Sequence, residues 1–268
     1  MSFDYNLQDL KNSIKKLNLK KNDTIYITGN LFNFGRINLK NHKDLPKIIF
    51  KNILKIIGKD GTIVVPTHSF KLVNSKKIFD LKKTPCETGS FSSFILKQKN
   101  CFRQIHPYSS SAAIGKNAKY ICTRNSRNVY GPRSPFDRMI KLNTKFISLG
   151  MKINNTCSQV HHAEFNMNVP YRFKKFFSHR VRINRKVAKK IFYMFVLKEN
   201  FLKIKRNKNK KIINFIKKKQ NIIKQKLGCD YIYCYDLKAF YQSNLDLLKK
   251  DKFCWLGYKP KNHKSLAI

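Results

Sequence analysis

His161 and Glu164 stand closest to chemistry in this sequence, at the end of the stretch running from Gly150 to Glu164. If residues 157–166 are helical, the two occupy positions i and i+3 and share one face. A histidine, with an ordinary pKa of about 6.5, can take up and return a proton near neutrality. A carboxylate beside it can hold the ring's tautomer and stabilise the imidazolium. Glutamate is scarce here: the chain holds only Glu87, Glu164 and Glu199. The same spacing also suits a capped, structural histidine, because His-x-x-Glu is a weak motif. Cys157 lies at i and i+4 from His161, the reach of a thiol–imidazole pair, so a nucleophilic cysteine competes with a packed small residue. His162 points elsewhere on the same helix. His106 precedes Pro107, a context that fixes an extended loop, where it either orients substrate or bonds the backbone. Ser109-Ser110-Ser111 could present hydroxyls and amides to phosphates, or form a tightly packed turn.

The elements that must position these groups read as an α/β layered fold. Leu7, Leu10, Ile14 and Leu17 recur at helical spacing, predicting a helix over residues 7–18. Residues 24–28 predict a strand, and Gly29-Asn30 opens a loop to Gly35. Asp44 is placed to cap a helix over 45–57, with Pro46 in its first turn. Asp60-Gly61 then turns into a strand over 62–66. Residues 67–90 read as irregular and 91–98 as a helix. Ser134-Pro135 starts a helix that carries Phe136, Met139 and Ile140 inward, and residues 146–149 form a buried strand. Alternation around residues 181–183 and the apolar run 191–197 predict a hairpin or meander. Residues 207–211 read as a turn, and Ile212 to Leu227 as one basic amphipathic helix. A strand over 230–235, a helix over 237–248 and a short strand over 253–255 complete the chain. There is no linker and no internal repeat, so residues 1–268 read as one domain with a basic subdomain over 172–226.

Composition narrows the function classes. The chain has 268 residues, 42% hydrophobic, with 21 Phe, enough to fill a core. The longest apolar run, residues 191–197, is far short of the roughly 20 residues a membrane helix needs. The start lacks the charged-then-apolar pattern of a signal peptide. Seven scattered Cys without a Cys-x-x-Cys pair predict neither a zinc site nor a disulfide framework, hence reduced thiols, no metal and a cytoplasmic protein. Lys+Arg total 57 against Asp+Glu 14, a net charge of +43. Residues 172–226 hold 21 Lys and Arg and one acid, Glu199. Such a field attracts nucleic acid, anionic lipid and phosphorylated small molecules, although coding drift toward lysine also raises it. The interleaved Phe and Tyr leave a nucleic-acid or membrane-surface protein as a competing class, without a recognised nucleic-acid motif.

Several segments, in order, resemble the aminoglycoside 3-N-acetyltransferase family over residues 10–172. Asp60-Gly61-Thr62-Ile63-Val64-Val65-Pro66-Thr67 resembles its Asp-Gly-Thr-(apolar)3-Pro-Thr segment. Phe79-Asp80, Thr84-Pro85 and Gly89 are similar to its next landmarks. Arg103, His106-Pro107, Ser110, Ala112-Ala113 and Gly115 follow its Arg-x-x-His-Pro-x-x-Ser-x-Ala-Ala-x-Gly pattern. Gly131, Ser134-Pro135-Phe136 and Leu149-Gly150 continue it, and His161 with Ala163-Glu164 falls on its His-x-Ala-Glu segment. The chain departs where hydroxyl residues are usual after the first strand (Thr28-Gly29-Asn30-Leu31 here) and at Gln104, and the likeness fades past residue 172.

The resemblance implies an α/β/α sandwich with a mixed central sheet and a basic C-terminal α+β portion. It implies transfer of acetyl from acetyl-CoA to an amine on a sugar, directly in a ternary complex, with His161 as general base and Glu164 as its partner. Thr28, Gly29, Asn30, Leu31 and Ser110 are then expected near the coenzyme, and Thr67, His106 and Asp137 near the acceptor. Aminoglycosides are polycations best held by acidic pockets. A chain this basic is better suited to an amino sugar on a nucleotide diphosphate or an anionic glycan. Some family members act on nucleotide-linked amino sugars, and Val169-Pro170-Tyr171-Arg172 resembles those. An antibiotic-modifying enzyme is the alternative; an oligomer is open.

Overall fold

A computed structural model describes residues 2–124, 127–156, 158–201 and 210–257. Its first half alternates helix and strand as the apolar spacing predicts: α1 (Leu7–Lys15), β1 (Thr24–Gly29), α2 (Leu45–Ile57) and β2 (Thr62–His68). β3 (Phe79–Asp80), α3 (Ser90–Leu96), β4 (Phe102–Arg103), β5 (Ser109–Gly115) and α4 (Ala118–Thr123) follow. The central portion is α5 (Pro135–Lys141), β6 (Lys145–Leu149), α6 (Ile153–Thr156) and α7 (Val160–Asn166). The basic third supplies β7 (Arg172–Ile183), β8 (Lys186–Leu197), α8 (Lys210–Lys219) and β9 (Ile223–Leu227). β10 (Asp230–Asp236) and α9 (Leu237–Lys250) close the described fold.

Seven strands form one mixed sheet in the order β4-β5-β2-β1-β6-β10-β9. β1 runs parallel to β2 and β6, while β5, β10 and β9 enter antiparallel to their neighbours. The period-2 alternation of the strands divides the core into two layers. Ile25, Ile27, Ile63, Val65, Ala112, Ile147 and Leu149 face the layer that also holds Leu10, Ile49, Ile53 and Ile95 of α1, α2 and α3. Tyr26, Val64, Ala113 and Phe146 face the other, with Ile121, Met139, Ala163 and Phe240 of α4, α5, α7 and α9. This is the α/β/α sandwich with a mixed sheet that the sequence implied.

A second sheet, β3-β7-β8, holds the long hairpin. Its two turn residues, Asn184 and Arg185, both have positive φ (47° and 69°), the conformation that matches the twist of a two-residue hairpin. The hairpin docks on the loop before β5, where Tyr108 stacks on Phe177 at 4.3 Å.

Several local expectations are corrected. Asp44 lies in helical conformation and makes no side-chain cap, so α2 begins on Pro46 alone. Residues 212–227 are not one helix. α8 ends at Lys219, and Ile-Lys-Gln-Lys-Leu alternates with period 2 before the Gly228-Cys229 turn, so residues 223–227 pair with β10. Residues 252–255 are a turn rather than a strand, and the serine run is a strand, β5, rather than a turn. Of the helix read over 157–166, residues 160–166 are helical, as α7, after a turn at 158–159; Cys157 lies outside the described residues, as do residues 207–209 of the expected turn, and residues 210–211 of that turn begin α8.

Candidate active site

The parallel core strands β1 and β6 end side by side, and Gly29 makes their close approach necessary. Its φ is +150°, and a Cβ there would stand 2.1 Å from the Leu149 carbonyl oxygen. Beyond these ends opens a cleft of about 410 Å³ lined by Thr28, Gly29, Asn30, Tyr26, His68, Glu87, Asn155 and Ser158, among others. Crevices at the carboxyl ends of parallel strands are where open α/β sheets bind ligands. Leu31 lies on the other side of the same loop. It lines a groove of about 640 Å³ walled by Phe32, Pro46 and Phe94, with Arg36, Lys43 and Lys97 among its lining residues.

His161 sits one turn after Ser158, and its amide donates to the Ser158 carbonyl at 3.0 Å. Its Nδ1 lies 2.5 Å from Glu164 Oε2. The pair is packed by aromatic groups: Tyr130 meets the His161 ring edge-on at 5.4 Å and stacks on Phe136, which in turn packs on Tyr26 of the cleft. The His161 side chain is 20% exposed while Glu164 is completely buried. Burying a carboxylate is costly unless it is paired and hydrogen-bonded, and three groups meet that need. Tyr171 donates its hydroxyl to Oε1 at 2.8 Å, Arg172 Nε lies 2.9 Å from Oε2, and His161 takes the remaining face of Oε2. An arginine against it and a hydroxyl donating to it both favour the carboxylate form of Glu164.

The local chain explains how Tyr171 and Arg172 arrive there. α7 ends at Asn166 with Met167 as its C-cap, Asn168 takes a left-handed φ of 46°, and the Val169 amide donates back to the Glu164 carbonyl at 3.2 Å. Pro170 then directs the chain into β7, and the next two side chains reach the buried carboxylate. Neither residue was among the site candidates, because nothing in the sequence marks a return that tight; the only signal was the resemblance of Val169 to Arg172 to sugar-pathway members.

The other candidates separate into two groups. Thr28, Gly29 and Asn30 line the cleft and Leu31 the adjoining groove. Thr67, Ser110, His106 and Asp137 are engaged within the fold. Thr67 and Ser110 are fully buried, with hydroxyls 2.8 Å apart, and Arg103 Nε donates to Ser110 Oγ at 3.0 Å. His106 is fully buried, accepts from the Ser109 amide at Nδ1 and meets the Tyr193 carbonyl at Nε2. Burial pushes its pKa down to about 4. Of the two roles open to it, the backbone-bonding one is what its contacts display. Asp137 accepts from the Arg133 amide and from Lys141, both at 3.0 Å, at the start of α5. His162 is buried, accepts from the Gly131 amide at 3.0 Å and is likewise pushed down to about 4 by burial.

A mixed seven-stranded sheet lies between two helical layers, and the His161–Glu164 pair follows by one turn Ser158 of the cleft at its strand ends, without lining that cleft. The sequence profile described as aminoglycoside 3-N-acetyltransferase matches residues 36–247, and the chain belongs to that family of N-acetyltransferases. No curated protein sequence matches the chain. Among solved structures, aminoglycoside acetyltransferase AAC(3)-Xa is similar over 91% of this chain and 92% of its own, at 15% identity and a TM-score of 0.75. YokD from Bacillus subtilis is similar over 94% and 96%, at 16% identity and 0.74. AAC-IIIb in binary complex with CoASH is similar over 96% and 100%, at 17% identity and 0.74. Among the described residues no helix is long and apolar enough to cross a membrane.

Proposed function

We propose that this N-acetyltransferase moves acetyl from acetyl-CoA directly to an amino group of an amino sugar, with His161 as general base and Glu164 as its partner. The 2.5 Å contact between His161 Nδ1 and the buried Glu164 carries the reading. An ammonium has no lone pair, so the acceptor must first be deprotonated. Once that proton is lost to solvent, the amine nitrogen bonds to the thioester carbonyl carbon as His161 Nε2 takes a second proton from it. The carbonyl re-forms as the carbon–sulfur bond breaks, and the thiolate takes the proton back from His161 and leaves as coenzyme A. A general base of this kind contributes roughly 10²–10⁴-fold. The binary CoASH complex of AAC-IIIb supports acetyl-CoA as donor. The loop Thr28 to Leu31 separates the cleft from the groove, and that groove combines apolar walls with Arg36, Lys43 and Lys97, chemistry suited to a pantetheine arm and phosphates. A cytoplasmic location accords with six described cysteines that are all free thiols.

The acceptor in this reading is an amino sugar carried on a nucleotide diphosphate or an anionic glycan. The net charge of +43 favours it, as do Arg127, Lys189 and Lys190 around a recess of about 350 Å³ beside the hairpin. An aminoglycoside acceptor keeps one specific observation in its favour: among the described residues the cleft is lined by Glu87 and by no Lys or Arg. A thiol-release assay with acetyl-CoA across nucleotide-linked amino sugars and aminoglycosides decides between them. Turnover on kanamycin-like amines far above that on nucleotide-linked sugars would reverse the assignment.

A further inference from the structure

We propose that Tyr171 and Arg172 are positioning residues that keep the His161–Glu164 pair unprotonated and aligned near neutral pH, an inference that rests on the base reading above. Tyr171 donates its hydroxyl to Glu164 Oε1, while Oε2 lies within hydrogen-bond distance of His161 Nδ1 and within ion-pair distance of Arg172 Nε. Arg172 is itself held: its side chain is 7% exposed, its Nη1 donates to the Phe195 carbonyl at 3.2 Å, and its guanidinium lies 5.8 Å from the Phe195 ring centre. An arginine cannot surrender its proton in a protein.

The charge count has a direct consequence. A histidine backed by a carboxylate alone forms a neutral ion pair when it is protonated, which favours protonation. Here the carboxylate is already matched by Arg172. A proton arriving at His161 therefore leaves the cluster with net positive charge in a buried setting. That disfavours the imidazolium at rest and keeps Nε2 able to accept the acceptor's proton. Removing Arg172 lets the pair take its first proton at higher pH, whether the proton settles on the ring or on the carboxylate. Among the described residues, the neighbouring groups leave this sign unchanged. Tyr130 and Tyr171 are phenols, and His162 is kept neutral by burial. The Cys254 thiol, near Glu164, is pushed up to about 12 by burial and by the Asp251 and Glu164 charges. Lys198 follows β8 and donates its amide to the Tyr171 carbonyl.

The test is the pH profile of kcat/KM in thiol release, measured for the full chain and for Arg172→Gln, Arg172→Lys and Tyr171→Phe, with the Kd for coenzyme A measured in parallel. Arg172→Gln is expected to move the acidic limb up by about one pH unit and to lower kcat at pH 7 about tenfold or more. The coenzyme A Kd should stay within about threefold. Arg172→Lys keeps the charge and should leave the limb at its wild-type position, even with a reduced kcat. Tyr171→Phe should lower kcat about three- to tenfold, the scale of one buried hydrogen bond, with KM little changed. If Arg172→Gln does not fold, Arg172→Lys and Tyr171→Phe carry the test. A lower melting temperature with limb and kcat unchanged in the folded variants would overturn the proposal and leave Arg172 and Tyr171 structural. Full activity in His161→Ala would instead sink the base reading itself, so the two failures are distinguishable.

Discussion

Glu164→Gln tests the buried ion pair as a matter of stability. The substitution keeps the side chain's volume and leaves an oxygen for the Tyr171 hydroxyl, so no cavity term is added. What it removes is the counter-charge of Arg172. Both side chains are buried, Glu164 at 0% and Arg172 at 7% exposure, so solvent screening gives little relief. Breaking a buried pair by removing one partner costs about 3–5 kcal/mol, because an uncompensated charge stays inside. At about 2–4 °C per kcal/mol for a chain near this size, the melting temperature should fall by roughly 6–20 °C. The double variant Glu164→Gln/Arg172→Met removes the orphaned charge and should melt above the single variant. Thermal unfolding followed by circular dichroism at pH 7, on wild type, single and double variants, reads both effects. A single variant melting within about 2 °C of wild type, or a double variant melting below the single one, would refute the charge argument.

Three further outcomes follow from the same geometry. His162→Ala leaves the buried Gly131 amide without its acceptor. It should cost about 1–3 kcal/mol of stability with kcat/KM within about threefold of wild type, and a thousandfold loss of turnover would move the base to His162. Gly29→Ala forces a Cβ to 2.1 Å from the Leu149 carbonyl at a φ of +150°. Chemical denaturation should show a loss of about 3 kcal/mol or more, and wild-type stability would contradict the strand contact. His106 and His162 are both held down to about 4 in the folded state, against about 6.5 when unfolded. Between those values the unfolded chain binds more protons, so stability is full above pH 6.5 and falls as pH drops toward 4. The slope reaches roughly 3 kcal/mol per pH unit for the pair, and a flat urea midpoint over pH 6.5–4.5 would contradict it.

Much of the frame was legible because local chemistry and tertiary packing agree there. Ser134 caps α5 and Pro135 opens it, as the dipeptide suggests. The apolar strands over 24–29, 62–68 and 145–149 are core strands of one sheet. The closeness of His161 and Glu164 was legible from spacing, because a single helical turn suffices to bring them together, whereas their roles were implied only by the family resemblance. What escaped depends on longer-range contacts. Ile212 to Leu227 carries apolar residues compatible with both periods, and the Gly228 turn decides in favour of a strand for its end. Ser110 and Thr67 carry hydroxyls that suggest ligand contact, yet Arg103 lies against them in the core. Tyr171 and Arg172 reach Glu164 only because α7 ends abruptly and the chain doubles back, which no residue pattern announces.

The central claim is that His161 removes the proton from the acceptor amine during acetyl transfer. Its most direct test compares single-turnover acetyl transfer by wild type and His161→Ala, with coenzyme A affinity measured by calorimetry on the same preparations. The account predicts a loss of roughly 10²–10⁴-fold in the transfer rate with the coenzyme A Kd within about threefold of wild type. An unchanged transfer rate in His161→Ala would contradict it.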